Sequence, residues 1–148
     1  MSKTHNQTSE AAMSESKKNS YLLLSRTDEW YKQLSHAELQ KIIADNHAWV
    51  GRLIAEGKAR PGVALAREGA TVSGNKRVVL DGPFAESKEA IGGTLVLDVA
   101  TMEEAIAIAS ACPSLRHNST IEIRPIHFEC PLEACAREKA QELATANA

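Results

Sequence analysis

Two short stretches, Tyr21-Leu22-Leu23-Leu24 and Leu95-Val96-Leu97, are apolar at every position. Successive side chains of a strand point to opposite faces, so strands of this kind carry apolar groups on both sides of their sheet. The pattern predicts central strands at 21–25 and 94–99, and any fold for this chain must cover two faces.

The predicted helices cover only one. Ser35 followed by Glu38 is a capping box, after which Leu39, Ile42, Ile43, Val50, Leu53 and Ile54 recur at helical spacing until Gly57. His47 falls on the border of that stripe, and Asn46 falls almost at its centre. Thr101 with Glu104 is a second box, with Met102, Ala105, Ile106, Ala109 and Cys112 on one face up to Pro113. Short strands are expected at 63–66 and 70–73, and Gly74-Asn75 turns the latter into Arg77-Val78-Val79-Leu80 as a hairpin. Ile121-Glu122-Ile123-Arg124 alternates as a strand that stops at Pro125, and Pro131 opens a last helix over 132–144. Setting the hairpin aside, the order is βαββαβ, an α+β ferredoxin-like protomer with an inserted β-hairpin and an extra C-terminal helix. Two helices leave one sheet face bare, and a second copy of the chain is the simplest cover. The expectation is a homodimer built sheet to sheet.

Composition narrows the function classes. The length of 148 residues allows one domain. Residues 1–19 are nearly without apolar groups and are expected to be a flexible tail; the domain is placed at 20–127, with a helical extension at 128–148. Seventeen basic against nineteen acidic residues give a net charge of -2, which argues against a basic nucleic-acid binder. No apolar run approaches the roughly 18 residues of a membrane span, and the start of the chain lacks an apolar leader. The expected location is the cytoplasm, with neither nucleic acid nor membrane as partner. An odd count of three cysteines fits a reducing compartment. Their spacing with His127 matches no zinc signature, and neither GxxxxGK[ST] nor GxGxxG occurs, so no metal or cofactor is expected.

Asp81-Gly82-Pro83-Phe84-Ala85-Glu86-Ser87-Lys88-Glu89 followed by Ile91-Gly92-Gly93 resembles the signature of the YCII-related family in its DGPF branch. Tyr21-Leu22-Leu23-Leu24, Trp49 with Leu53 and Gly57, Cys112-Pro113 and Ile121-Glu122-Ile123-Arg124-Pro125 extend the likeness in the same order. The resemblance implies a dimeric α+β barrel of ferredoxin-like protomers. It further implies a cleft with a His and Asp pair of unidentified enzymatic role, as proposed for YciI-like relatives. It also implies a regulatory link to extracytoplasmic-function sigma factors. Ser35-His36, where the family usually has Ser-Pro, and the segment after Cys130 depart from the pattern.

Each candidate residue has two readings. His47 is either a general base near neutral pH or a boundary histidine bonded to a carbonyl. Asp81 either orients that histidine or closes an Asx-type turn over Gly82-Pro83. Lys88 and Glu89 lie in a charged loop that either binds or is merely solvated. Glu122 and Arg124 share the strand face opposite Ile121 and Ile123, where Arg124 either clamps an anionic ligand or joins an intersubunit ion pair. The preferred expectation is a homodimer whose cleft, lined by His47, Asp81, Lys88, Glu89, Glu122 and Arg124, takes a small, anionic molecule, with His47 and Asp81 as an acid–base pair. The alternative is a non-catalytic module that contacts a protein such as a sigma factor.

Overall fold

The structure, a computed structural model, describes residues 18–26, 29–81 and 90–148. The elements run β1 (Asn19–Arg26), α1 (His36–Ala55), β2 (Ala59–Arg60), β3 (Ala70–Ser73), β4 (Val78–Asp81), β5 (Ile91–Val99), α2 (Met102–Ser110), β6 (Thr120–Pro125) and α3 (Pro131–Ala146). Single 3-10 turns lie at Trp30–Gln33 and Pro113–His117. The chain is an α+β protein with a four-stranded antiparallel sheet in the order β2-β5-β1-β6, and β3 pairs with β4 in a separate hairpin.

Local signals account for most of these boundaries. At α1 both bonds of the capping box form: Ser35 N donates to Glu38 Oε2 at 2.7 Å and Glu38 N to Ser35 Oγ at 3.3 Å. Gly57, at φ +68°, takes the left-handed turn that ends the helix. The α2 cap is half as expected. Glu104 N donates to Thr101 Oγ1 at 3.1 Å, but the Glu104 carboxylate accepts from Ala100 N at 3.3 Å, one residue before the cap. The expected strand at 63–66 is displaced. Ladder pairing is made by Ala59 and Arg60, and beyond them only a bridge at Ala64 to Gly93 remains. The cause is Gly62, where an added Cβ would stand 1.6 Å from the Thr94 carbonyl oxygen, so the backbone passes directly over β5 and leaves the ladder.

Both α1 and α2 pack on one face of the sheet. There Tyr21, Leu23, Leu95, Leu97 and Val99 meet Trp49 and Leu53 of α1 and Ala105 and Ala109 of α2. Leu97 is 0% exposed, and full burial of such a side chain is worth about 1.5–3 kcal/mol. Ile121 and Ile123 also pack against this core. By alternation Leu22, Leu24 and Val96 point the other way, and they are half-buried among the long side chains beside them. Register puts Arg124 next to Leu22 and Glu122 next to Leu24 on that open face. The extension α3 contributes no buried residue, and Leu132 and Leu143 on it are 80% and 66% exposed.

Candidate functional site

Three apolar stripes are broken at the same level of the core. On β1 the inward series is Tyr21, Leu23 and then Ser25, while on β5 it runs Val99, Leu97, Leu95 and then Gly93. Ser25 and Gly93 are direct partners across the ladder. On α1 the buried series Leu53, Trp49 and Ile42 is interrupted by Asn46. Where interior packing would continue with large apolar groups, small and polar residues leave a cavity of about 270 Å³.

Three further segments and the end of β1 complete its walls. Trp30 and Tyr31 come from the 3-10 turn after β1, and Leu65 and Arg67 from the strip running along β5. Ser114 and Ser119 come from the loop after α2, and Arg26 from the last residue of β1. The strip is held by Thr94 N donating to the Val63 carbonyl and Leu65 N to the Gly92 carbonyl, each at 2.9 Å. Ser119 Oγ donates to Ser114 Oγ at 2.9 Å, and Ser114 Oγ shares a hydrogen bond of 3.1 Å with the buried Cys112 thiol. Asn46 Oδ1 is buried and has no hydrogen-bond partner among the described residues. A buried polar atom left without a partner costs about 1–3 kcal/mol, so this position is not optimised for stability.

Ion pairs surround the mouth. Arg26 donates to Glu122 Oε2 at 2.7 Å. That hydrogen bond holds the Glu122 carboxyl below its ordinary pKa against an opposing desolvation, with smaller help from the charges of Arg26 and Arg124. Arg67 pairs with Glu29, which also bonds Lys32 at 2.7 Å. Trp30 is packed edge-on by Tyr31 at 5.8 Å between ring centroids and stacked by His117 at 5.6 Å.

The residues singled out in the sequence are dispersed relative to this cavity. His47, one residue and about 100° round the helix from Asn46, is exposed and does not line it. Glu122 touches it only through Arg26, and Arg124 lies on the open sheet face at 4.0 Å from Glu122. Asp81 ends β4, whereas 82–89, with Lys88, Glu89 and most of the signature, lie outside the described residues. Gly93 is a strand residue in close approach, its virtual Cβ 3.4 Å from the Val63 carbonyl oxygen. Ser25, Arg26, Arg67, Ser114 and Ser119 were not singled out in the sequence, and Asn46 showed there only as a polar residue at the centre of an apolar stripe. The signal present was the interruption of three stripes, which becomes meaningful once register aligns them. Among the described residues no group of three or more His, Cys, Asp or Glu side chains is placed to hold a metal ion. Among them, too, no helix is long and apolar enough to cross a membrane.

The geometry defines a small α+β protein with a polar cavity let into one end of its core. The YCII-related domain profile matches residues 20–129. An uncharacterised protein of Rhizobium meliloti (strain 1021) is 31% identical over 115 residues, covering 72% of this chain and 87% of that protein. The chain belongs to the YCII-related family.

Proposed function

We propose that this chain is the protomer of a small-molecule-binding homodimer of the DGPF branch, with its ligand in the cavity beneath Asn46. One observation carries the ligand site: Ser25, Gly93 and Asn46 interrupt three apolar stripes at one level and open about 270 Å³. Pockets with a few convergent polar groups are the usual form of a ligand site. The order β2-β5-β1-β6 with both helices on one face is that expected of a ferredoxin-like protomer. Two such protomers meeting through their open faces make the dimeric α+β barrel. Leu22, Leu24 and Val96 supply an apolar centre for that contact. The clusters Arg60–Asp98–Ser20 and Glu122–Arg124 supply a polar rim, the usual anatomy of an interface. In this proposal His47 and Asp81 act as an acid–base pair and Lys88 and Glu89 as further ligand-binding residues, in a cytoplasmic protein.

Ligand-detected NMR against a fragment library of mixed charge tests the site, on the natural chain and on Ser25→Leu, which carries the Tyr21-Leu23 stripe into the cavity. Fragments that bind the natural chain and not the variant support it; binding indifferent to the variant removes it. Light scattering at micromolar concentration tests the dimer, which fails if the natural chain is monomeric or if Val96→Glu leaves it dimeric.

A second proposal, a non-catalytic module contacting a protein such as a sigma factor, draws on one observation: α3 presents Leu132 and Leu143 to solvent and buries nothing. Loss of a purified partner's binding on deletion of 130–148, with the cavity intact, would favour it.

A further inference from the structure

We infer that the cavity beneath Asn46 is built for a small monocarboxylate with an apolar or aromatic body; this rests on the cavity being a ligand site and adds the chemistry of its occupant. Among the described residues that line it are two cations and no acid. Both cations are arginines. A guanidinium is a planar fork of five N–H donors, which matches the two coplanar oxygens of a carboxylate better than a point charge does. Each also pairs with an acid that does not line the cavity, Arg26 with Glu122 at 2.7 Å and Arg67 with Glu29. Pairing of this kind fixes the plane and direction of each head before a ligand arrives, which lowers the ordering cost of binding.

The backbone at Glu29 supports this positioning. The residue lies at φ +64°, in the left-handed region that residues with a Cβ rarely adopt, and from there its carboxylate holds both Lys32 and Arg67. Strained backbone retained at one residue is a common feature of binding sites. The apolar part of the lining suits an apolar body. Trp30, Tyr31 and Leu65 supply it, and Trp30 is packed edge-on by the Tyr31 ring and stacked by the His117 ring.

Phosphate chemistry fits less well. Phosphate sites use backbone amides at a glycine-rich turn or helix N-terminus. Here Gly92 and Gly93 are strand residues, with Gly93 facing Ser25 in the ladder and the Gly92 carbonyl accepting from Leu65 N. At about 270 Å³ the cavity falls below the roughly 300–1,000 Å³ of drug-sized sites, so the occupant is fragment-sized.

Titration of the full chain, followed by NMR or calorimetry, compares four probes of one shape: benzoate, benzamide, benzylamine and phenylphosphonate. Benzoate is expected to bind saturably and at least about tenfold more tightly than each of the others, about 1.4 kcal/mol. Arg67→Gln and Arg26→Gln are each expected to weaken benzoate about tenfold or more while leaving benzamide unchanged. Arg67→Lys, which keeps the charge and loses the fork, keeps the assignment testable if a Gln variant does not fold; it should weaken benzoate several-fold. Equal binding of benzamide, or benzoate binding unaffected by the arginine variants, overturns the carboxylate assignment. So does tighter binding of phenylphosphonate. If the preferred probe is then still displaced by Ser25→Leu, the cavity survives as a ligand site with a different occupant. If no probe binds, or none responds to Ser25→Leu, both the carboxylate and the cavity assignments fall.

Discussion

Asn46 stands in the middle of the apolar stripe of α1, and replacing it with leucine separates stability from function. The side chain is half-buried, with Oδ1 enclosed and lacking a partner among the described residues. Removing an orphaned buried carbonyl relieves about 1 kcal/mol, the low end for such groups because the site is partly open. Leucine at half burial contributes about 1 kcal/mol more from apolar area. Its better helix propensity contributes a few tenths of a kcal/mol. Asn46→Leu should therefore stabilise the fold by about 2 kcal/mol, a rise in Tm of roughly 4–8 °C for a chain of this size. Urea unfolding followed by circular dichroism reads this directly: the midpoint moves up while the slope stays constant. The same variant should lose the ligand, because leucine removes the polar group and takes up part of the cavity. A drop in stability of about 1 kcal/mol or more would refute the reasoning, since Asn46 would then be serving the fold. Increased stability with ligand binding intact would refute the site.

Other perturbations probe the rest of the structure. Leu97→Ala, at a side chain with 0% exposure between sheet and helices, should cost about 3–5 kcal/mol, and a loss under about 1.5 kcal/mol in the urea midpoint would mean that the core is packed differently. Asp98 accepts hydrogen bonds from Arg60 and Ser20, and the Arg60 bond, ahead of an opposing desolvation, holds its carboxyl below the ordinary value. With the folded pKa lowered, this stabilisation is complete above the ordinary carboxylate pKa and is lost as pH falls through the folded one. The stability gap between the natural chain and Asp98→Asn should thus be constant at neutral pH and close toward acid; a gap that persists at low pH contradicts the pairing. Deleting 130–148 should change Tm by no more than about 2 °C, because α3 buries nothing and a 16-residue helix alone is marginal in water. Fast hydrogen exchange along α3 would agree, and strong protection in a monomeric sample would not.

The element order, both helix starts and the separation of Leu23 from Leu22 and Leu24 follow from rules that act over one to four residues: caps, alternation and helical spacing. These were legible in the chain itself, as was the family, because its motifs are contiguous. The Asn46 anomaly was visible too, though without meaning. A polar residue on an apolar stripe becomes part of a site only when the strands opposite are also small there. That condition depends on Ser25 pairing with Gly93 and on the path that Gly62 allows over β5.

The sequence by itself determined where the helices, the central strands and the hairpin fall and which of their faces are apolar, since each such choice is settled by neighbours within a turn or a pleat, whereas the strand expected at 63–66 gave way to pairing at Ala59–Arg60. Tertiary structure alone decided that Arg26 meets Glu122 across 96 positions of chain. It also decided that Arg67 rather than Arg124 lines the cavity, and that α3 buries nothing of itself. Those outcomes depend on strand register and loop path, which place groups far apart in the chain side by side, and no local preference encodes such distances.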